Sequence, residues 1–185
     1  LRNAPSEEGY RAALEATIAE SDELIRTFNA LLMIARVEAG SPDGAMTDLD
    51  IGTMLADVAE LYEPVAEEAG VEFVVEAPAG IVVRLNRELV GQALANLIDN
   101  AVKYAAETGD DRKPRVELAA CTDGGRILLT VSDNGPGIPE ADRTRVLDRF
   151  VRLEQSRTKP GSGLGLSLVA AVAHSHGGEI RLEDN

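Results

Sequence analysis

Apolar positions recur along this chain with two different periods, and the change of period divides it. Between residues 6 and 39, Leu14, Ile18, Ile25, Phe28, Leu32 and Ala35 recur at helical spacing, with no proline and one early glycine. Glu15, Glu20, Asp22, Glu23, Arg26 and Arg36 occupy much of the remaining surface. The spacing predicts one long, one-sided helix. Its stripe needs a partner, such as an antiparallel hairpin or a bundle. Gly40-Ser41-Pro42-Asp43-Gly44 then ends the helix and reads as a linker.

Beyond the linker the pattern becomes mixed. Residues 45–49 read as a short strand, and Asp50 as the N-cap of a helix over 51–69 that stops at Gly70. Leu55, Val58, Leu61, Tyr62 and Val65 are its expected buried face, with a local kink at Pro64. Residues 71–76 and 81–84 read as strands joined by Ala77-Pro78-Ala79-Gly80. Asn86 is the expected cap of a helix reaching about 106, with Leu89, Ala93, Leu97 and Val102 on its core side. Strands over 115–121 and 126–131 flank the turn Asp123-Gly124-Gly125. A short helix over 140–147, a helix over 163–175 and a strand over 179–182 complete the list. The alternation predicts an α+β sandwich, a mixed sheet covered by helices on one face, preceded by the long N-terminal helix.

Charge narrows the function. The 185 residues carry 32 acidic and 18 basic side chains, a net charge of −14. Nucleic-acid binding, which depends on Lys and Arg neutralising phosphates, is therefore disfavoured. A single cationic pocket remains compatible with a phosphorylated small molecule. The lone Cys121 rules out an intramolecular disulfide and reads as a small buried apolar residue of a strand. No apolar run reaches the roughly 20 residues of a membrane helix.

Three segments carry chemistry. In Asn96-Leu97-Ile98-Asp99-Asn100-Ala101-Val102-Lys103-Tyr104, Asn96 and Asn100 share a helix face and Lys103 lies close to it. An amide oxygen suits Mg²⁺ that also keeps waters and phosphate oxygens. The ammonium would neutralise phosphate, and Tyr104 could pack beside a base or ribose. The same spacing also suits a plain solvated face. Asp133 ends an apolar strand and opens Asp133-Asn134-Gly135-Pro136-Gly137-Ile138. Its carboxylate could accept from an exocyclic amine such as adenine N6. Gly135 and Gly137 would let a flat base approach the backbone, and Ile138 would wall it. A tight turn with a capping Asp explains the same residues.

Gly161-Ser162-Gly163-Leu164-Gly165-Leu166 runs directly into an apolar helix, where bare backbone N–H groups favour phosphate. A glycine hinge is the alternative. The stretch 148–160 between these segments is basic within an acidic chain and reads as a mobile lid. Phe150 is its expected apolar anchor, and Arg152, Arg157 and Lys159 are candidate γ-phosphate contacts.

In this order, the segments resemble the N box, first glycine box, F box and second glycine box of the catalytic domain of bacterial sensor histidine kinases. Residues 31–40, Leu-Leu-Met-Ile-Ala-Arg-Val-Glu-Ala-Gly, resemble the end of the second helix of that family's dimerisation and phosphoacceptor hairpin. The resemblance implies a hairpin helix over 1–40 and an ATP-binding domain over 41–185, with a Bergerat-type sandwich shared with gyrase-type ATPases. It implies ATP and Mg²⁺ as cofactors. Asn100 would hold the metal with Asn96 nearby. Lys103 would bind phosphate, Tyr104 the base or ribose, and Asp133, Gly135, Gly137 and Ile138 the adenine. Gly161, Ser162, Gly163, Leu164, Gly165 and Leu166 would shape the phosphate site and the hinge beside Phe150.

Arg152 and Asn96 are the expected catalytic pair. Arg152 would contact the γ-phosphate. Asn96 stands where related ATPases carry a water-activating Glu, which favours transfer to a side chain over hydrolysis. The resemblance further implies a homodimer through the hairpin bundle, relay to a response regulator receiver domain, and a cytoplasmic piece of a protein anchored in the inner membrane. The hairpin helix bearing the phosphoacceptor His, and a last strand after Asn185, lie outside this sequence. Autophosphorylation by this piece alone is therefore not expected. His174 and His176 sit in a structural context. The rivals are a Ser-directed kinase of the same superfamily and a pseudokinase docking module.

Overall fold

A computed structural model describes residues 7–40, 46–106, 112–153 and 161–184. The long helix α1 spans Glu7–Glu38. It is followed by β1 (Thr47–Asp50), α2 (Ile51–Glu68), β2 (Glu72–Glu76), β3 (Val82–Leu85) and α3 (Arg87–Ala105). Then come β4 (Arg115–Asp123), β5 (Arg126–Asp133) and α4 (Gly165–Ser175). The expected short helix over 140–147 is instead two 3₁₀ turns, Glu140–Asp142 and Arg145–Leu147. The linker 41–44, together with Arg157 and Lys159, lies outside the described residues.

Both predicted caps form. Asp50 accepts from the Thr53 N–H at 2.8 Å and, with its other oxygen, from the Gly80 N–H at 2.9 Å. These bonds, Thr53 first, hold its carboxyl below the usual aspartate range. Asn86 accepts from the Leu89 N–H at 3.1 Å. Its own N–H donates to His176 Nε2 at 3.0 Å, so the end of α4 braces the start of α3. Nδ1 of the same ring lies 2.8 Å from the Val172 carbonyl, which fixes the proton there. His176 is thus structural, as its sequence context implied.

The strands divide into two ladders. β1 and β3 pair antiparallel. β2 pairs parallel with β4, which pairs antiparallel with β5 through the two-residue turn Gly124-Gly125. Helices cover one face only. Val116, Leu118 and Ala120 of β4 point into them and are buried. Cys121, one step on, falls on the opposite side of the pleat and is exposed, contrary to the sequence expectation. The stretch 179–182, expected as a strand, joins no ladder among the described residues. Ion pairs Arg126–Glu179, at 3.6 Å, and Arg143–Asp184 hold the segment, and Ile180 packs against the core.

The buried face of α2 is rotated from the expected one. Ile51, Met54, Leu55, Ala59 and Ala66 are buried, whereas Leu61 and Val65 are exposed. α3 buries Leu89, Ala93, Leu94, Ile98, Ala101 and Val102 as a continuous stripe. Ile34 and Val37 of α1 are buried, at the end that meets α4. Leu14, Ile18, Ile25 and Phe28 of its stripe are each more than half exposed.

Candidate functional site

A cleft of about 630 Å³ opens between α3, the end of β5, the start of α4 and the middle of α1. Burying one face of α3 turns the other outward, and Asn96, Asn100, Lys103 and Tyr104 therefore line the cleft. Asn96 Nδ2 donates to the Gln92 carbonyl at 2.8 Å, which leaves its oxygen facing away from its own helix. The two asparagines converge on the first turn of α4. A methyl group placed on Gly165 would lie 3.1 Å from Asn96 Oδ1 and 3.6 Å from Asn100 Nδ2. Lys103 Nζ reaches to 3.8 Å from the same point on Gly161 and lies 5.4 Å from the Tyr104 ring centre. One end of the cleft thus combines amide groups, an ammonium and the N-terminus of an 11-residue helix.

The other end is built on β5. Alternation places Ile127, Leu129, Val131 and Asp133 on the helix-facing side of the strand. Asn134 takes over the strand's last backbone duties. Its Oδ1 accepts from the Arg115 N–H at 2.8 Å, and its Nδ2 donates to the Lys113 carbonyl at 2.9 Å. Asp133 is left facing the cleft, where it accepts from the Gly135 N–H at 2.9 Å. Partial burial pushes its carboxyl above the usual aspartate range, and the Gly135 bond only partly offsets this. Gly135 is obligatory for packing, because a Cβ would stand 2.8 Å from the Tyr104 carbonyl oxygen. Gly137 and Ile138 line the cleft next to Asp133, and Arg143 Nε steadies that loop by donating to the Ile138 carbonyl at 3.1 Å.

Arg152, Gly161, Ser162, Gly163, Gly165 and Leu166 also line the cleft. Three expected residues do not. Gly135 acts one layer behind, against Tyr104. Leu164 is fully buried and anchors the start of α4. Phe150 is not the expected apolar anchor: it is 59% exposed, with a left-handed φ of 63°. α4 itself starts at Gly165, two residues later than predicted.

Sequence reasoning missed the contribution of α1. Arg26, Asn29 and Met33 line the cleft at i, i+3 and i+7, a single helical face. The spacing was visible, but nothing local says which face of an isolated helix meets the cleft. Arg26 pairs with Glu23 at 2.9 Å. The Tyr62 hydroxyl donates to the Ala95 carbonyl at 3.3 Å and also bonds Asp99, bracing α2 against α3 behind the two asparagines. Desolvation raises the Asp99 carboxyl, opposed by the Tyr62 bond and by Arg26. Among the described residues, no cluster of His, Cys, Asp and Glu could cage a metal. The donor set suits an Mg²⁺ ion shared with phosphate oxygens, not a protein-only site.

Residues 86–185 match the family described as histidine kinase-, DNA gyrase B- and HSP90-like ATPase. The chain is 32% identical over 184 residues to the sensor-like histidine kinase SenX3 of Mycobacterium tuberculosis, covering 98% of this chain and 44% of that protein. In structure it is similar to full-length ShkA in complex with AMPPNP, with a TM-score of 0.72, 30% identity, and coverage of 95% of this chain and 35% of that one. It is also similar to the mycobacterial sensor histidine kinase MprB, with a TM-score of 0.59, 30% identity, and coverage of 71% and 80%. The chain spans less than half the length of the curated relatives it matches.

Proposed function

Because the chain belongs to the histidine kinase-, DNA gyrase B- and HSP90-like ATPase family, with sensor histidine kinases among its relatives, we propose that its cleft binds Mg-ATP for phosphoryl transfer to a histidine. The observation that carries this reading is the two-ended cleft. A carboxylate suited to adenine stands at one end, and two amides, an ammonium and a helix N-terminus converge at the other.

In this reading Asp133 accepts from the adenine amine, with Ile138 and Gly137 beside the ring. Lys103 and the start of α4 take the phosphates, and Arg152 meets the γ-phosphate. Asn100 would hold Mg²⁺ together with phosphate oxygens, and the metal would neutralise charge on the transferred group. Asn96 cannot act as a general base, which favours a protein acceptor over water. Catalysis then rests on positioning and charge stabilisation.

In the intact protein the acceptor would be a His on a first hairpin helix, with α1 as the second. The phosphoryl group would pass on to an Asp of a response regulator receiver domain. The exposed stripe of α1 supports dimerisation through that hairpin. No helix among the described residues is long and apolar enough to cross a membrane. An anchor in the inner membrane would belong to the rest of the protein.

Calorimetric titration with a non-hydrolysable ATP analogue tests the reading, with and without Mg²⁺ and with a GTP analogue as control. Mg-dependent binding that prefers adenine is expected. A folded chain that binds neither nucleotide would overturn the reading and favour a docking module.

A further inference from the structure

Helix α1 is fastened to the ATP-binding layer by two kinds of contact at its C-terminal end. The first is apolar: Ile34 and Val37 are buried where α1 meets α4. The second is one residue further on, where the Glu38 carboxylate pairs with the Arg149 guanidinium. Both residues of the pair line a groove of about 580 Å³, together with Leu147, Ser167, Ala171 and His174. Close packing therefore does not dictate the geometry at this point.

Arg149 immediately precedes Phe150, the one non-glycine residue with positive φ among the described residues. A bulky side chain disfavours that conformation, so its surroundings must hold it. The Phe150 N–H donates to the Gly163 carbonyl at 3.0 Å. Gly163, itself at φ 71°, packs so closely that a Cβ would stand 2.9 Å from the Phe150 carbonyl carbon and from the Val151 oxygen, and 3.1 Å from Arg152 Cγ. Residues 150–152 and the second glycine segment are thus knotted together at one point. The residue leading into that knot is the one held by α1.

We infer that Glu38 and Arg149 form a positioning pair, through which the placement of α1 sets the backbone around Phe150, Arg152 and Gly163, and so the phosphate end of the cleft. The inference rests on the nucleotide reading above. Neither residue lines the cleft, so their effect passes through Phe150 and Gly163 and not through ligand contact. An exposed ion pair adds little to stability, so its consequence is geometric.

The test uses the full 185-residue chain and a fluorescent, non-hydrolysable ATP analogue with Mg²⁺. Glu38→Arg and Arg149→Glu should each weaken binding about three- to fivefold, in line with an exposed pair of this kind. The double swap should restore affinity to within about twofold of the starting chain. The preference for adenine over guanine should be the same in all four proteins, because the Asp133 end is untouched. Single variants that bind like the parent, or a double swap no better than the singles, would overturn the pair's role. Loss of adenine preference in the singles would do the same, by revealing general disruption. A parent chain that does not bind would remove the nucleotide reading first and this inference with it.

Discussion

The two ends of the cleft are made by different means. The end proposed for adenine is an extension of regular structure. β5 pairs with β4 along its whole length, Asp133 stands opposite buried Val116, and the Asn134 amide continues the ladder past the last strand residue. The end proposed for the phosphates is made of turns: Gly161 and Gly163 with positive φ, Phe150 strained beside them, and only then the first turn of α4. Strand pairing fixes a carboxylate to a fraction of an ångström, which suits discrimination between bases. A knot of glycines and one strained residue suits a group that must be gripped and released. In the proposed reading, base discrimination and transfer thereby fall to parts of different stiffness.

The sharpest way to break this contrast is at Asp133. Asp133→Asn keeps the shape but places a donor toward the adenine amine, and affinity should fall about 100-fold. Preference over a GTP analogue should collapse with it, both read by calorimetry. Asn100→Ala acts at the other end and should cost about tenfold, only when Mg²⁺ is present. A variant equally weak with and without the metal would show that Asn100 serves the fold instead.

Gly163→Ala should weaken ATP-analogue binding by about tenfold while leaving base preference intact, because the added methyl would meet the backbone of Phe150 and Val151 at 2.9 Å and would sit at a positive φ that itself costs on the order of 1 kcal/mol. If it changed base preference, the two ends would not be separable.

The smallest expected effect is that of pH. The Asp133 carboxyl titrates above the usual aspartate range because burial disfavours its charge. Its contribution to fold stability is therefore present below the ordinary aspartate pKa and is lost as pH rises through the raised one. Nucleotide binding runs the other way, since the acceptor is lost on protonation. Acidification from neutral should weaken adenine binding a few-fold before an unperturbed aspartate would, and the Asp133→Asn chain should not show this dependence.

Local chemistry made much of this legible in the sequence. Asp50 and Asn86 announce helix starts because a short acceptor can satisfy orphan N–H groups at only a few positions. Asn96, Asn100 and Lys103 share a face by helical arithmetic alone, and the order of the glycine segments identified the cleft they form. What stayed hidden depends on partners distant in sequence. The division of β1–β3 from β2–β4–β5, and the face that α1 turns toward the cleft, are set by packing between separated segments. Cys121 was misjudged because the pleat tells which residues alternate, not that one side of the sheet lies bare. Phe150 was misjudged because a hydrophobic side chain announces a wish for burial, and its backbone conformation has no signature in composition.

The bare side of the sheet has a practical consequence. Cys121 is the only thiol in the chain, is exposed, and sits near the hairpin tip of a strand whose other end lies opposite Asp133. Val116 and Cys121 are five residue steps apart along the strand, a span of about 17 Å. A dye attached there would need no engineered cysteine and would stand clear of the nucleotide. It would also lie within energy-transfer range of a fluorescent ATP analogue, so occupancy of the cleft could be followed in real time on the unmodified sequence.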